Sequence, residues 1–233
     1  MKIYGFYFAA LIGDWSPIIE EQLTKLYNSP LYKKTNKLYV RVFYNNKNDL
    51  NKFISKLNKD SKLVLSHTDK NEFEFGTLSL IQSLSKTENF HCYYFHSKGV
   101  SKPHLKENIN SWRRYMEYFL IDKHDTCIKE LNLGNDAVGV KLRSTPTFLG
   151  KESSNKFWWV TAGLRKIPEH FSGNFWWSKS DFIKKLPNIT SLSSRDRHEC
   201  EFWIGYTNGK LKCLHDSKQA SYKTVITENY RTN

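Results

Sequence analysis

The stretch FHCYYFHSKG, residues 90–99, decides the fold. Its apolar run, Cys92-Tyr-Tyr-Phe95, breaks off into His96-Ser97-Lys98-Gly99. A strand buried on both sheet faces reads as such a run, and open α/β sheets bind ligands beyond the carboxyl ends of their strands. Working outward, similar runs predict strands over Ile3–Ala10, Leu38–Tyr44, Lys62–His67, Phe90–His96 and Ala137–Leu142. Helical patterns fall between them at Ile18–Tyr27, Asp49–Leu57, Thr77–Ser85 and Asn110 to about Leu131. The last carries Trp112, Tyr115, Met116, Phe119 and Leu120 at one-face spacing. Alternating strands and helices predict an α/β fold, a mostly parallel central sheet flanked by helices.

Beyond Thr145 the pattern weakens as far as about Glu169, apart from a run at Phe157–Ala162. The aromatic string HFSGNFWWSKSDF (His170 to Phe182) follows, leading into the helix-like SDFIKKL. A polar loop, Asn188–Arg195, precedes the apolar-acidic ECEFWIGY, and the tail after Asn208 reads as peripheral. No repeat and no Pro/Gly linker divides the chain. The expectation is one domain, 1–233, with a nucleotide-side half (1–140) and an acceptor-side half (141–233).

At 233 residues, with 39% hydrophobic and 15% aromatic content, the chain can build a substantial core and is not a disordered polymer. Seven Trp and thirteen Tyr exceed what packing usually needs, and such rings also stack on sugars and bases. A net charge of +13 points to an anionic partner. Much of it lies in Lys/Asn-rich connections such as LYKKTNKL and SKLNKDSKL, where a solvated surface is explanation enough. Cys92, Cys127, Cys200 and Cys213 form no CxxC pair, so zinc-ribbon and thioredoxin chemistry are not indicated. Free thiols, a reducing cytoplasmic setting and no transmembrane segment are expected.

Several clusters carry candidate chemistry. Lys98 beyond a strand end, followed by Gly99, can set a cation against a diphosphate, with His96 and Ser97 on the same rim. A basic surface turn is the plain alternative. Arg113 and Arg114 of WRRYM point about 100° apart on a helix, so one of them can face that rim. Thr77 can cap a helix starting at Gly76-Thr77, and Glu74 can take a sugar hydroxyl or a metal, although both also fit a purely structural capping role. In GNFWW, alternate side chains of an extended segment face opposite ways, leaving Trp176 or Trp177 free to stack on a sugar beside Asn174. Two packed sheets sharing the rings is the alternative. Glu201, anchored by Phe202-Trp203-Ile204, is the first choice of general base, with Asp181, Glu199 and Asp196 as competitors.

YYFHSKGVS, WRRYM, DAVGV, HFSGNFWWSKSDFIKKLP and ECEFWI, in that order, resemble a group of small GT-A glycosyltransferases. These occur in bacterial polysaccharide loci and large DNA viruses, including the glycosyltransferase domain of a chlorella virus. The resemblance spans roughly residues 60–205. It implies a GT-A fold that takes a nucleotide-diphosphate sugar, a UDP-sugar favoured, and transfers a hexose or deoxyhexose to a glycan or glycoconjugate. It further implies that Phe8 and Ala9 lie near the base, the HSKG loop near the diphosphate, and Asn174, Trp176 and Trp177 near the transferred sugar or acceptor. Many such enzymes hold Mn²⁺ or Mg²⁺ through Asp-x-Asp, but no DxD tripeptide occurs here, and His96-Ser97-Lys98 takes its place. Lys98 and an arginine of WRRYM can then replace the metal, or a metal can bind through the phosphates with His96 or a single acid. The rivals are a basic nucleic-acid-binding protein and a non-catalytic sugar-binding domain.

Overall fold

A computed structural model describes residues 1–101, 106–143, 167–192, 196–219 and 222–232. The expected run Phe157–Ala162 and Arg195 lie outside the described residues. Nine strands appear among the described residues: β1 (Lys2–Leu11), β2 (Lys37–Tyr44), β3 (Leu63–Thr68), β4 (Phe90–His96), β5 (Ala137–Gly139), β6 (Leu142–Arg143), β7 (His170–Phe171), β8 (Trp176–Lys179) and β9 (Leu211–Cys213). Seven of them form one sheet in the order β3-β2-β1-β4-β8-β5-β9, while β6 and β7 pair separately. The first four are mutually parallel, and β8 runs antiparallel to both neighbours, β4 and β5. The expected α/β class, with a mostly parallel sheet flanked by helices, is the one observed.

The helices are α1 (Trp15–Tyr27), α2 (Pro30–Lys34), α3 (Lys47–Lys56), α4 (Phe75–Ser85), α5 (Lys106–Glu117), α6 (His124–Asn132), α7 (Ser180–Ile183) and α8 (Glu199–Phe202). Central strands are apolar on both faces because helices cover both. Every residue of β1 after Lys2 is buried, as are the first six of β4. Gly5 of β1 is needed for space, since a Cβ there would lie 2.4 Å from the Tyr93 ring crossing it on β4. The Tyr93 hydroxyl thereby reaches the Thr35 hydroxyl at 3.0 Å.

The aromatic string resolves into the interior strand β8. Tyr93 pairs with Trp177 and Tyr94 with Trp176, the ring centroids 5.1 and 5.2 Å apart. A sheet wet on one side would leave alternate rings facing a cleft. With both faces covered, Phe175, Trp176 and Trp177 are all buried, and neither tryptophan faces a cleft. The Trp177 indole donates to the Leu120 carbonyl at 2.9 Å and the Trp176 indole to the Asn174 side-chain oxygen at 2.8 Å.

Candidate active site

The carboxyl ends of β1, β2 and β4 open into a pocket of about 380 Å³. Phe8, Ala10 and Ile12 line it from β1 and its continuation, Phe43 and Asn45 from β2, and Asn71, Phe73 and Glu74 from the connection between β3 and α4. The HSKG loop forms one wall, and Arg197, His198, Glu201 and Tyr222 reach it from the second half of the chain. Phe8 lines the pocket but Ala9 does not, because neighbouring strand residues point to opposite faces.

Hydrogen bonds shape the loop after β4. Ser97 N–H donates to the Phe8 carbonyl at 3.0 Å and the Ser97 hydroxyl accepts from Ala10 N–H at 2.8 Å, so its side chain prolongs the β1–β4 ladder. The His96 carbonyl accepts from the Gln22 amide at 3.1 Å, and the Gln22 oxygen accepts from the Tyr7 hydroxyl at 2.8 Å. Gly99 sits at φ +106°, where other residues are strained. His96 Nε2 lies 3.1 Å from the Gly173 carbonyl, which only accepts, so Nε2 carries the proton. Burial lowers the His96 pKa, with Glu74 opposing, so the ring is neutral at pH 7.

Two carboxylates face the pocket from a shared polar network. Glu74 accepts from the Tyr94 hydroxyl and from the Asn174 amide, each at 2.6 Å, with its other oxygen 3.8 Å from His96 Nδ1. Glu201 accepts from Gly173 N–H at 2.6 Å. Burial opposes ionisation of Glu201, but the positive surroundings of His170 and Lys98 and the Gly173 amide outweigh it and hold the carboxyl below its usual range. Asn174, at φ +60° and buried, links both sides: it fixes Glu74 with its amide and Trp176 with its oxygen. It touches the pocket only through Glu74 and is absent from the lining.

Four expected site residues stand elsewhere. Because β8 runs antiparallel, Gly173 and Asn174 before it lie at the ligand rim, whereas Ser180 and Asp181 after it lie at the opposite sheet edge. Ser180 Oγ there accepts from Phe90 N–H, at the start of β4, at 3.0 Å. Asp181 is solvent-exposed and ion-paired to Lys184 at 2.5 Å, outside the pocket. Arg113 is fully buried beneath the loop, paired with Glu21 and 3.2 Å from Glu117, so its charge is already answered. Arg114, also bound to Glu21, is exposed on the outer side. Thr77 is buried in the first turn of α4, which starts at Phe75 with no side-chain cap.

Phe43, Asn45, Asn71, Phe73 and Tyr222 line the pocket and were missed in the sequence. One signal was present: VFYNN, residues 42–46, is an apolar run ending in amides, the same pattern that singled out β4. Tyr222 had none, since it reaches the site from the tail that reads as peripheral.

Among the described residues no three His, Cys, Asp or Glu side chains come together to hold a metal ion. The donors nearest the rim are a neutral histidine and two hydrogen-bonded carboxylates, and a lysine cation stands among them. Among the described residues these donors do not converge on one point as the ligands of a resident divalent ion would.

No curated protein matches the chain. Among solved structures, 4-diphosphocytidyl-2C-methyl-D-erythritol synthase from Anaerococcus prevotii DSM 20548 aligns with TM-score 0.47 at 13% identity, covering 98% of this chain and 92% of that one. HddC from Yersinia pseudotuberculosis aligns with TM-score 0.43 at 11% identity, over 93% and 91% of the two chains. A second 4-diphosphocytidyl-2C-methyl-D-erythritol synthase gives TM-score 0.43 at 9% identity, over 99% and 96%. Likeness this distant carries no inference about chemistry. The family model described as a domain of unknown function, DUF8361, matches residues 12–226, and the chain belongs to that family.

Proposed function

We propose that this chain is a glycosyltransferase that moves a hexose or deoxyhexose from a nucleotide-diphosphate sugar, with UDP favoured, to a glycan or glycoconjugate acceptor. The observation that supports this most is the joint presence of Lys98 and the ionised Glu201 in one pocket, beyond the carboxyl ends of parallel strands. The ordered motifs resembling small GT-A enzymes point the same way.

The roles follow from charge and position. Phe43 and Phe73 offer apolar faces and Asn45 and Asn71 offer amides suited to a nucleobase. Lys98 stabilises the departing diphosphate as its bond to the anomeric carbon breaks. Glu201 Oε1 is held by Gly173 N–H, so the other oxygen takes the acceptor's hydroxyl proton as the new C–O bond forms. The low pKa of Glu201 keeps it ionised at neutral pH. Asp181 and Arg113 have no part, and no step runs through a metal. The first half of the chain (1–140) supplies most of the donor wall, and the second (141–233) supplies Glu201 and the acceptor side. The four unpaired thiols support a cytoplasmic setting as part of this reading; among the described residues no helix is long and apolar enough to cross a membrane.

The test is a thermal-shift screen against UDP, GDP, dTDP and CMP, each with and without Mn²⁺, followed by donor turnover. One nucleotide should raise the melting point. Lys98→Ala should lower turnover about 10²–10³-fold. Glu201→Gln should abolish transfer while keeping nucleotide binding. No shift with any nucleotide, together with tight salt-sensitive binding of an oligonucleotide, would establish the nucleic-acid rival. Binding of a nucleotide sugar without turnover or donor hydrolysis would leave a sugar-binding domain.

A further inference from the structure

Lys98 faces the pocket with no carboxylate in ion-pair range among the described residues. Its Nζ instead lies 4.0 Å from the centroid of the Trp112 ring and 5.9 Å from that of Tyr222. The two rings meet edge to face, centroids 5.0 Å apart at 82°. A carboxylate partner would fix the ammonium but cancel its charge. Aromatic faces attract a cation through the ring quadrupole and leave its full charge available to an anion.

Both rings are themselves held. Trp112 is buried on α5 and packs against the Gly173 turn, where a Cβ would come within 3.0 Å of its ring; that turn also carries the amide bound to Glu201. Tyr222 lies in the C-terminal segment, pinned on both sides. Downstream, Ile226 N–H donates to Ser111 Oγ at 2.9 Å, and the Asn108 amide donates to the Tyr222 carbonyl at 3.1 Å. Upstream, the buried Lys141 donates through Nζ to Ser217 Oγ at 3.0 Å and to the Gln219 carbonyl at 2.5 Å.

From this geometry we infer that Trp112 and Tyr222 are positioning residues: they cradle Lys98 as an uncancelled cation aimed at the phosphates of the ligand, and the C-terminal segment thereby completes the anion-binding end of the pocket. The inference rests on the reading that the pocket takes a nucleoside diphosphate. Tyr222 is the residue to vary, because it is 39% exposed and removing its ring leaves no deep cavity.

The experiment titrates inorganic pyrophosphate and UDP into the full chain by calorimetry, for wild type, Tyr222→Ala, Tyr222→Phe, Lys98→Ala and the Lys98→Ala/Tyr222→Ala double variant. Loss of a cation–π contact at an exposed ring predicts a roughly 2- to 5-fold weaker Kd for Tyr222→Ala. Phe keeps the ring face, so Tyr222→Phe should stay within about twofold of wild type. In the Lys98→Ala background, Tyr222→Ala should have no further effect, because the tyrosine acts through the lysine. Equal binding by Tyr222→Ala and wild type would overturn the cradle, as would an undiminished effect in the double variant. Should Tyr222→Ala melt early, Tyr222→Leu carries the same comparison with more packing retained. Wild type binding neither pyrophosphate nor any nucleotide would overturn the functional reading itself, a result distinct from either failure of the cradle.

Discussion

Asn174 shows how one residue can satisfy three demands at once. Its backbone needs the left-handed region at φ +60°, which asparagine tolerates better than most residues. Its amide holds Glu74, and its oxygen takes the buried Trp176 indole, which has no water to turn to. Asn174→Ala should therefore destabilise by about 2–4 kcal/mol, from two buried polar partners left unpaired plus backbone strain. Asn174→Gly should recover only the backbone share. Urea unfolding of both variants checks this, and equal losses would mean that strain contributes nothing. Read locally, a polar residue next to tryptophans suggests a sugar site for Asn174; its bond to Glu74, a hundred positions earlier, lies outside any local window.

Between elements, the joint of α1 with α5 holds an unusual charge arrangement. Glu117 is fully buried 3.2 Å from Arg113 Nε, and the pair is not aligned as a hydrogen bond. Burial pushes its pKa up to about 7, against the pull of Arg113 and Lys25. The folded state therefore holds a proton on Glu117 that the unfolded chain releases in the ordinary carboxylate range. Stability from this group is present at low pH and falls as pH rises from there through about 7, by about 1–3 kcal/mol. His91 and His96, both held low, contribute the opposite slope. The difference between wild type and Glu117→Gln isolates the term: the gap should tilt toward the variant between pH 5 and 8 in about the stated amount. Parallel pH profiles of the two would show Glu117 to be ionised throughout. The neighbouring π turn, Tyr118–Asp122, marks the limit of reading by period. Asn110–Leu131 scans as one amphipathic helix, yet it is α5, this turn and α6. The Phe119, Leu120 and Ile121 carbonyls accept from Cys127, Trp177 and His124. The Trp177 donor is remote in sequence, so no local window contains it. The four leading strands were legible because each is a bounded apolar run. Short β8 and β9 were not, since their partners rather than their own pattern make them strands.

At the scale of the whole molecule, part of the basic charge of the described residues is answered locally. Lys2, Lys25, Lys34 and Lys179 each pair with a surface carboxylate on a different element. An oligonucleotide bound by such a surface should be lost by about 0.15 M salt, whereas nucleotide binding in the pocket should survive. Anisotropy with a labelled single strand decides it, and a tight complex persisting at that salt would restore the nucleic-acid rival. The order of the sheet has a consequence for synthesis on the ribosome. β5 leaves the exit tunnel before β8, yet it cannot join the sheet until β8 has docked between it and β4. Throughout that interval the growing chain displays the naked backbone edge of β4, with Cys92, Tyr93 and Tyr94 unshielded on it. A ribosome that stalls anywhere from residue 97 to 175 therefore releases an adhesive half-sheet in need of a chaperone, rather than a smaller protein that works.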